Sequence, residues 1–193
     1  MACEPPPPAT DATQLHGVVE AVCASPTHSM AKLPAEEVRL IAGFGIEGDV
    51  HAGAIVRKVS RRRGGDPPNL RQVHLIAAEL HEELAARGLV VVPGQMGENI
   101  TTRGLDLVSL SRGTLLHLGT EAVLEVTGLR HPCRKLDGAQ PGLMKAVLDH
   151  DAEGRLTSRA GVMSVVRCGG SVRPGDRVVV EPPPGPSRPL TPV

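Results

Sequence analysis

Apolar positions along the chain fall mostly into short runs, rich in β-branched residues and bounded by glycine or proline. Such runs read as strands. On this pattern Leu15–Cys23, Val38–Ala42, Gln72–Ile76, Glu98–Thr102, Thr114–Leu118, Ala122–Thr127, Val162–Cys168 and Arg177–Glu181 are strands. Gly128, Gly169-Gly170 and Pro174-Gly175-Asp176 mark turns between them. Two stretches have helical spacing instead. Ala77–Arg87 sets Leu80 and Leu84 on one face and stops at Gly88. Pro141–His150 places proline near its first turn, followed by Leu143, Val147 and Leu148. Many short strands with a few inserted short helices predict a mainly β, α+β chain. The expected form is a bent sheet or barrel, not a doubly wound α/β fold.

Proline sets the outer boundaries. Ten of the 18 prolines lie in residues 1–10 and 182–193, where apolar periodicity is absent. Residues 1–13 and 182–193 are therefore expected to be disordered proline-rich tails around a single domain spanning 14–181. A length of 193 residues suits one domain.

Charge and aromatic content exclude several functions. The chain has 21 Lys+Arg against 21 Asp+Glu, and Phe44 is its one aromatic residue. Balanced charge gives no general pull toward nucleic acid or anionic lipid, and stacking platforms for bases are missing. Neither nucleic acid nor a membrane is expected as a partner. No apolar run approaches the ~18 residues of a membrane span, and the start shows no signal-peptide pattern. The four cysteines lack CxxC spacing, so free thiols in the cytoplasm are expected.

Three segments carry candidate chemistry. Cys133 follows His131-Pro132 and precedes Arg134-Lys135, a setting of adjacent cations and a nearby imidazole that favours the thiolate. Pro93 to Asp106 joins flexible glycines to Glu98, Asn99, Thr101 and Arg103, donors and acceptors suited to phosphate or a polar heterocycle. It is not a P-loop, because the GxxxxGK[ST] order is absent. Gly45 to Gly53 contains Asp49 and His51, two positions apart and so on one face of an extended strand. They form a possible metal pair without a third ligand fixed by spacing. A basic run at Arg61-Arg62-Arg63 reads either as a solvated loop or as a flap over an anion.

Taken in order, these elements resemble the MOSC domain, the family named for the C-terminal domain of molybdenum-cofactor sulfurase. The resemblance is carried by Gly45-Ile46-Glu47-Gly48-Asp49-Val50-His51, Arg71-Gln72-Val73-His74-Leu75-Ile76, Pro93-Gly94 with Gly97-Glu98-Asn99-Ile100, and Leu124-Glu125-Val126-Thr127 leading to Pro132-Cys133. It continues from Gly161-Val162 to Val172-Arg173-Pro174-Gly175-Asp176 and covers about 38–180. It implies a β-barrel-like fold and a functional cysteine, here Cys133, that carries sulfane sulfur or ligates molybdenum of the pterin cofactor. A soft thiolate suits either task.

The cofactor's phosphate makes Arg71, Arg103, Arg134, Lys135 and Arg159 candidate contacts on chemical grounds, with Asn99 and Thr101 as hydrogen-bonding candidates. Asp49 and Glu98 are candidate proton relays. The desulfurase domain of fused relatives is missing, so no pyridoxal phosphate is expected to be covalently held on this chain. A cysteine desulfurase would then be the sulfur donor, or another protein would donate electrons; a homodimer is an allowed assembly. The expected function is cofactor binding or sulfur carriage. Its alternatives are a small molybdoenzyme reducing N-hydroxylated compounds and a non-catalytic binding module.

Overall fold

The computed structural model describes residues 15–55, 67–150 and 154–193. The N-terminal tail, the Arg61–Arg63 run and residues 151–153 lie outside them. The eight strands expected from the sequence are present, each within one or two residues of its expected limits. They are β1 (His16–Ala24), β3 (Val38–Ile41), β5 (Val73–Ala77), β6 (Ile100–Arg103), β7 (Leu115–Leu118), β8 (Ala122–Leu129), β11 (Val162–Cys168) and β13 (Arg177–Glu181). Short additions are β2 (Leu33–Ala35), β4 (Gly45–Ile46), β9 (Leu148–His150), β10 (Leu156–Ser158) and β12 (Gly170–Val172).

Seven strands close into a barrel in the order β13-β7-β8-β11-β5-β6-β1, with β1 returning to β13. All its pairings are antiparallel except β5 with β6. A second sheet, β12-β3-β4, lies beside it. Closure removes the free edges that an open sheet would expose. Strand β11 alternates buried and less buried positions along its length, so one face looks into the barrel. The barrel is filled by Val, Leu and Ile, including Val22, Leu40, Leu75, Ile100, Leu116, Leu124, Val162 and Val178.

A second apolar cluster lies outside the barrel. It joins Ile76 to Leu80 and Leu84 of α1 (Ala78–Ala86), to Met96, to Leu136 of α2 (Lys135–Ala139) and to Leu143 of α3 (Leu143–Ala146). Helix α1 matches its expected span. The helix expected over 141–150 is corrected: only Leu143–Ala146 of it is helical (α3), a separate turn α2 precedes it, and residues from Leu148 form β9. Gly142 explains the break, because its φ of 89° is left-handed backbone that no continuous helix contains.

Residues 182–193, expected as a free tail, contain no regular element but are tied to the barrel. Leu129 N–H donates to Thr191 O at 2.9 Å, Val193 N–H to Leu129 O at 3.2 Å, and Leu190 packs against the core. Gly128 makes this possible, since a side-chain carbon there would stand 2.4 Å from Thr191 O. Proline cannot extend the ladder, which is why the stretch looked structureless in sequence. Cys168 is disulfide-bonded, which corrects the expectation that all thiols are free. Among the described residues no helix is long and apolar enough to cross a membrane.

Candidate functional site

Two buried polar clusters meet where the 93–99 loop enters β6. The first centres on Asp49. Its Oδ2 accepts from Lys32 Nζ at 2.5 Å, from Asn99 Nδ2 at 3.1 Å and from Ser25 N–H at 3.2 Å. Its Oδ1 accepts from His51 N–H at 2.9 Å and lies 3.3 Å from the His51 ring. Burial raises the affinity of Asp49 for a proton, but the bonds from His51 and Lys32 outweigh it and hold the carboxyl well below its usual range. Asn99 is equally committed: its oxygen accepts from His74 N–H and its amide donates to Cys23 O as well as to Asp49. The cluster clamps the 45–53 loop to the barrel wall. Neither Asp49 nor Asn99 has bonding capacity left aimed outward.

The second cluster surrounds Glu98, which is fully buried. Its Oε1 accepts from Gly94 N–H at 2.7 Å and lies 3.4 Å from His81 Nε2. Gly94 is required here: its φ is 85°, and a side-chain carbon would meet Lys32 O at 2.5 Å and Cys23 Sγ at 2.9 Å. Burial pushes Glu98 toward protonation, yet the neighbouring His81 leads the influences that more than compensate, and its pKa is lowered. Burial, with the nearby Arg130 cation, drives His74 down to about 3, so its ring is neutral at physiological pH. Cys23 is pushed up to about 11 by burial and by Glu98, and is a protonated core thiol.

Arg130 ends β8's run into the Cys133 loop and is only 9 % exposed. Burial lowers its pKa, opposed by the charges of Cys133 and Glu98. Three buried atoms of this cluster have no hydrogen-bond partner: Glu98 Oε2, His81 Nε2 and Arg130 Nη1. Buried groups left unbonded are costly; among the described residues five more lie outside this cluster, on Glu79, Thr101, Thr102, His117 and Gln140. Three residues further on, Cys133 is a free, half-buried thiol between buried Pro132 and exposed Arg134. The loop is anchored by Arg130 N–H donating to Gly161 O and by Leu136 N–H donating to Cys133 O.

A cavity of about 650 Å³ opens beside this corner, lined by His28, Met30, Gln95 and by Lys135, Gly138 and Ala139 of α2. Gly97 links the two, since a side-chain carbon there would lie 3.0 Å from Met30 O and 3.9 Å from Arg130 Nη2.

The comparisons with known proteins agree with this architecture. The MOSC domain profile matches residues 47–179, most of the chain. The chain belongs to the MOSC domain family. Among solved structures, the YuaD protein of Bacillus subtilis aligns with a TM-score of 0.70 at 24 % identity, covering 87 % of this chain and 97 % of that one. YiiM from Escherichia coli aligns with a TM-score of 0.61 at 20 % identity, covering 90 % and 73 % respectively. YiiM from Geobacillus stearothermophilus gives 0.55 at 21 % identity, covering 87 % and 74 %. At such identities these likenesses establish the fold. No curated protein matches the sequence.

Within the MOSC domain the other expected site residues are dispersed. Arg103 pairs with Glu20 at 2.5 Å and Glu82 at 2.8 Å. Arg159 pairs with Glu83 at 2.7 Å, in the wall of a separate cavity of about 400 Å³. Thr101 is fully buried in β6 with its hydroxyl unpartnered, while Arg71, His131, Arg134 and Lys135 are exposed. His51 is half exposed, and among the described residues no group of three His, Cys, Asp or Glu is placed to hold a metal ion. Lys32, His74, His81 and Arg130 carry the electrostatics of both clusters and were not singled out from sequence. The one available signal was a charged residue, Arg130, closing an apolar strand immediately before Cys133.

Proposed function

We propose that this MOSC-domain protein binds the pterin molybdenum cofactor at Cys133, with the thiolate acting as the metal's ligand or as a carrier of sulfane sulfur. The observation that supports this most directly is the buried, unpartnered Arg130 Nη1, three residues before the free, half-buried Cys133 thiol. A guanidinium missing a partner in a dry setting suits an anionic ligand, and a thiolate beside it suits a soft metal or sulfur. The adjoining cavity of about 650 Å³ is within the range of small-molecule sites. The residues present therefore fit the group.

When bound, the cofactor supplies the metal centre and its oxygen-atom or sulfur chemistry. The chain does the rest. Cys133 presents sulfur, Arg130 holds negative charge next to it, and Lys135 offers a cation at the cavity rim. Buried Glu98 opposes part of the lowering that burial imposes on Arg130. The flat pterin meets no Tyr or Trp, so its recognition rests on polar groups and guanidinium planes.

The test is co-expression with cofactor biosynthesis, followed by molybdenum and pterin analysis of wild type and Cys133→Ala. Wild type is expected to retain molybdenum near one per chain and Cys133→Ala to lose it. Equal retention removes Cys133 as the ligand. In parallel, incubation with a cysteine desulfurase and free cysteine is expected to add one sulfur to Cys133, read by mass spectrometry. Loading in the first arm but not the second favours the molybdoenzyme reading, in which the cysteine stays on the metal.

A further inference from the structure

We propose that segment 188–193 is a positioning element for Cys133. Docked on the barrel, it fixes the end of β8 from which the Cys133 loop departs, and so sets the access of reagents to the thiol. The inference holds whichever task Cys133 performs, because it concerns the loop that carries the thiol and not its cargo.

Strand β8 outruns one of its two neighbours. On one side β11 accompanies it as far as Leu129. On the other, β7 pairs only with residues 122–125, and the last bonds there are Val126 N–H to Thr114 O and Gly113 N–H to Val126 O. Segment 188–193 takes over beyond that point. Leu129 N–H donates to Thr191 O at 2.9 Å, and Leu129 O accepts from Val193 N–H at 3.2 Å. Without the segment both backbone groups of Leu129 lose these partners. Cys133 lies four residues further on, within about 14 Å of chain. Arg130 N–H donates to Gly161 O, and from there to Cys133 the backbone belongs to no strand or helix. The thiol therefore inherits its position from the end of β8.

Sequence and fold are fitted to this docking. The three atoms nearest a side-chain carbon at Gly128 all belong to the segment: Thr191 O at 2.4 Å and the two Cγ atoms of Val193 at 2.6 and 3.2 Å. Gly128 is not among the glycines with positive φ, so its missing side chain serves the close approach and not a turn. The other end is tied by Arg188, whose N–H donates to Ser111 Oγ at 2.8 Å and whose O accepts from Arg112 N–H at 2.9 Å. Leu190 between them packs against the barrel core. Pro189 and Pro192 stiffen the undocked segment, which lowers the entropy lost on docking, but they donate no hydrogen bond. An attachment this light opens locally, without unfolding the barrel.

The experiment compares the full chain, wild type and Gly128→Ala, under pulsed alkylation with iodoacetamide read at each cysteine by mass spectrometry. Amide exchange is followed on the same samples. The added methyl collides with Thr191 and Val193 and leaves the 130–134 loop untouched. Exchange at Leu129 is expected to quicken at least about tenfold, the size of one or two lost backbone hydrogen bonds. Cys133 is expected to alkylate roughly threefold faster or more. Cys23, a free thiol only 1 % exposed in β1, is the internal reference and stays unreactive while the barrel stays closed. Leu190→Ala removes the segment's apolar contact without touching β8. It is expected to move both readouts the same way by a smaller factor, and it decides the matter should Gly128→Ala fold poorly. Wild-type rates of exchange and alkylation in both variants overturn the proposal. So does faster exchange at Leu129 with Cys133 unchanged, which uncouples the loop from the segment. A parallel rise at Cys23 also overturns it, because the segment would then brace the whole barrel. Molybdenum and sulfur loading play no part in these readouts, so this inference and the function proposed above fail separately.

Discussion

The Asp49 cluster and the Glu98 cluster lie side by side, use similar residues, and are wired differently. Around Asp49 every acceptor is occupied: Lys32, Ser25, His51 and Asn99 all converge on one carboxylate. Around Glu98, three polar atoms remain without partners although each is shut off from solvent. A fully bonded buried network rigidifies a fold, whereas a partly bonded one carries a cost that a ligand can remove. The difference separates residues whose bonding holds the loops from residues that keep unused bonding capacity. Asp49 and Asn99 belong to the first group; Glu98, His81 and Arg130 belong to the second.

The largest expected effect comes from breaking the closed cluster. Asp49→Ala leaves Lys32 buried without its anion, a loss of about 3–5 kcal/mol. Calorimetry should show this as a fall in Tm of roughly 6–20 °C for a domain of this size. A loss below about 1 kcal/mol would mean that the cluster does not hold the loop.

Acid should act next, through His74 in the open cluster. Its folded pKa of about 3 lies below the ordinary histidine value of 6.5. The unfolded chain therefore binds the extra proton between these limits and the native chain does not. Stability is fully present above 6.5 and falls by about 1.4 kcal/mol per pH unit below it. Asp49 enters later: its depressed carboxyl contributes fully above about 4, the unfolded value, and loses that contribution as the pH drops further. Urea midpoints measured from pH 4.5 to 7 should show the histidine slope, and His74→Asn should flatten it.

Arg130→Gln should sharpen the contrast. We expect a stability loss of about 1–2 kcal/mol, smaller than for Asp49→Ala because the guanidinium is not fully bonded. Molybdenum retention on co-expression should nevertheless fall at least tenfold. A variant that loses stability as Asp49→Ala does, yet keeps its metal, would place Arg130 in the scaffold. The smallest effect is expected from His51→Ala, whose ring is half exposed at the edge of the closed cluster. Its Tm should stay within the range of about 0.5 kcal/mol, and its metal content should not change.

Strands were legible wherever β-branched runs met glycine turns, and β11 and β13 match their expected limits to the residue. Helix α1 was legible for the same kind of reason, with two leucines one turn apart and a glycine stop. The region after Cys133 was not, because Pro141-Gly142 reads equally as a helix start and as a break. Only the left-handed backbone of Gly142 decides it. The final proline-rich stretch was opaque for a different reason: its attachment depends on the missing side chain of Gly128, a residue some sixty positions away. In the candidate site, Cys133 stood out through its charged neighbours, while Asn99 looked free because polarity is visible in sequence and bonding is not.

By itself the sequence determined a barrel of short strands, a family, and one cysteine set among cations. These follow from local pattern: strand period, turn residues and the immediate neighbours of a thiol. Tertiary structure decided which polar residues are spent. Lys32, Asp49 and Asn99 come from three separate segments, and Lys32 and Asn99 both donate to Asp49 once the barrel closes. Arg130 keeps one donor unsatisfied because burial removes water and the fold brings it no acceptor. Burial and pairing depend on contacts between segments far apart in the chain, which local pattern does not encode.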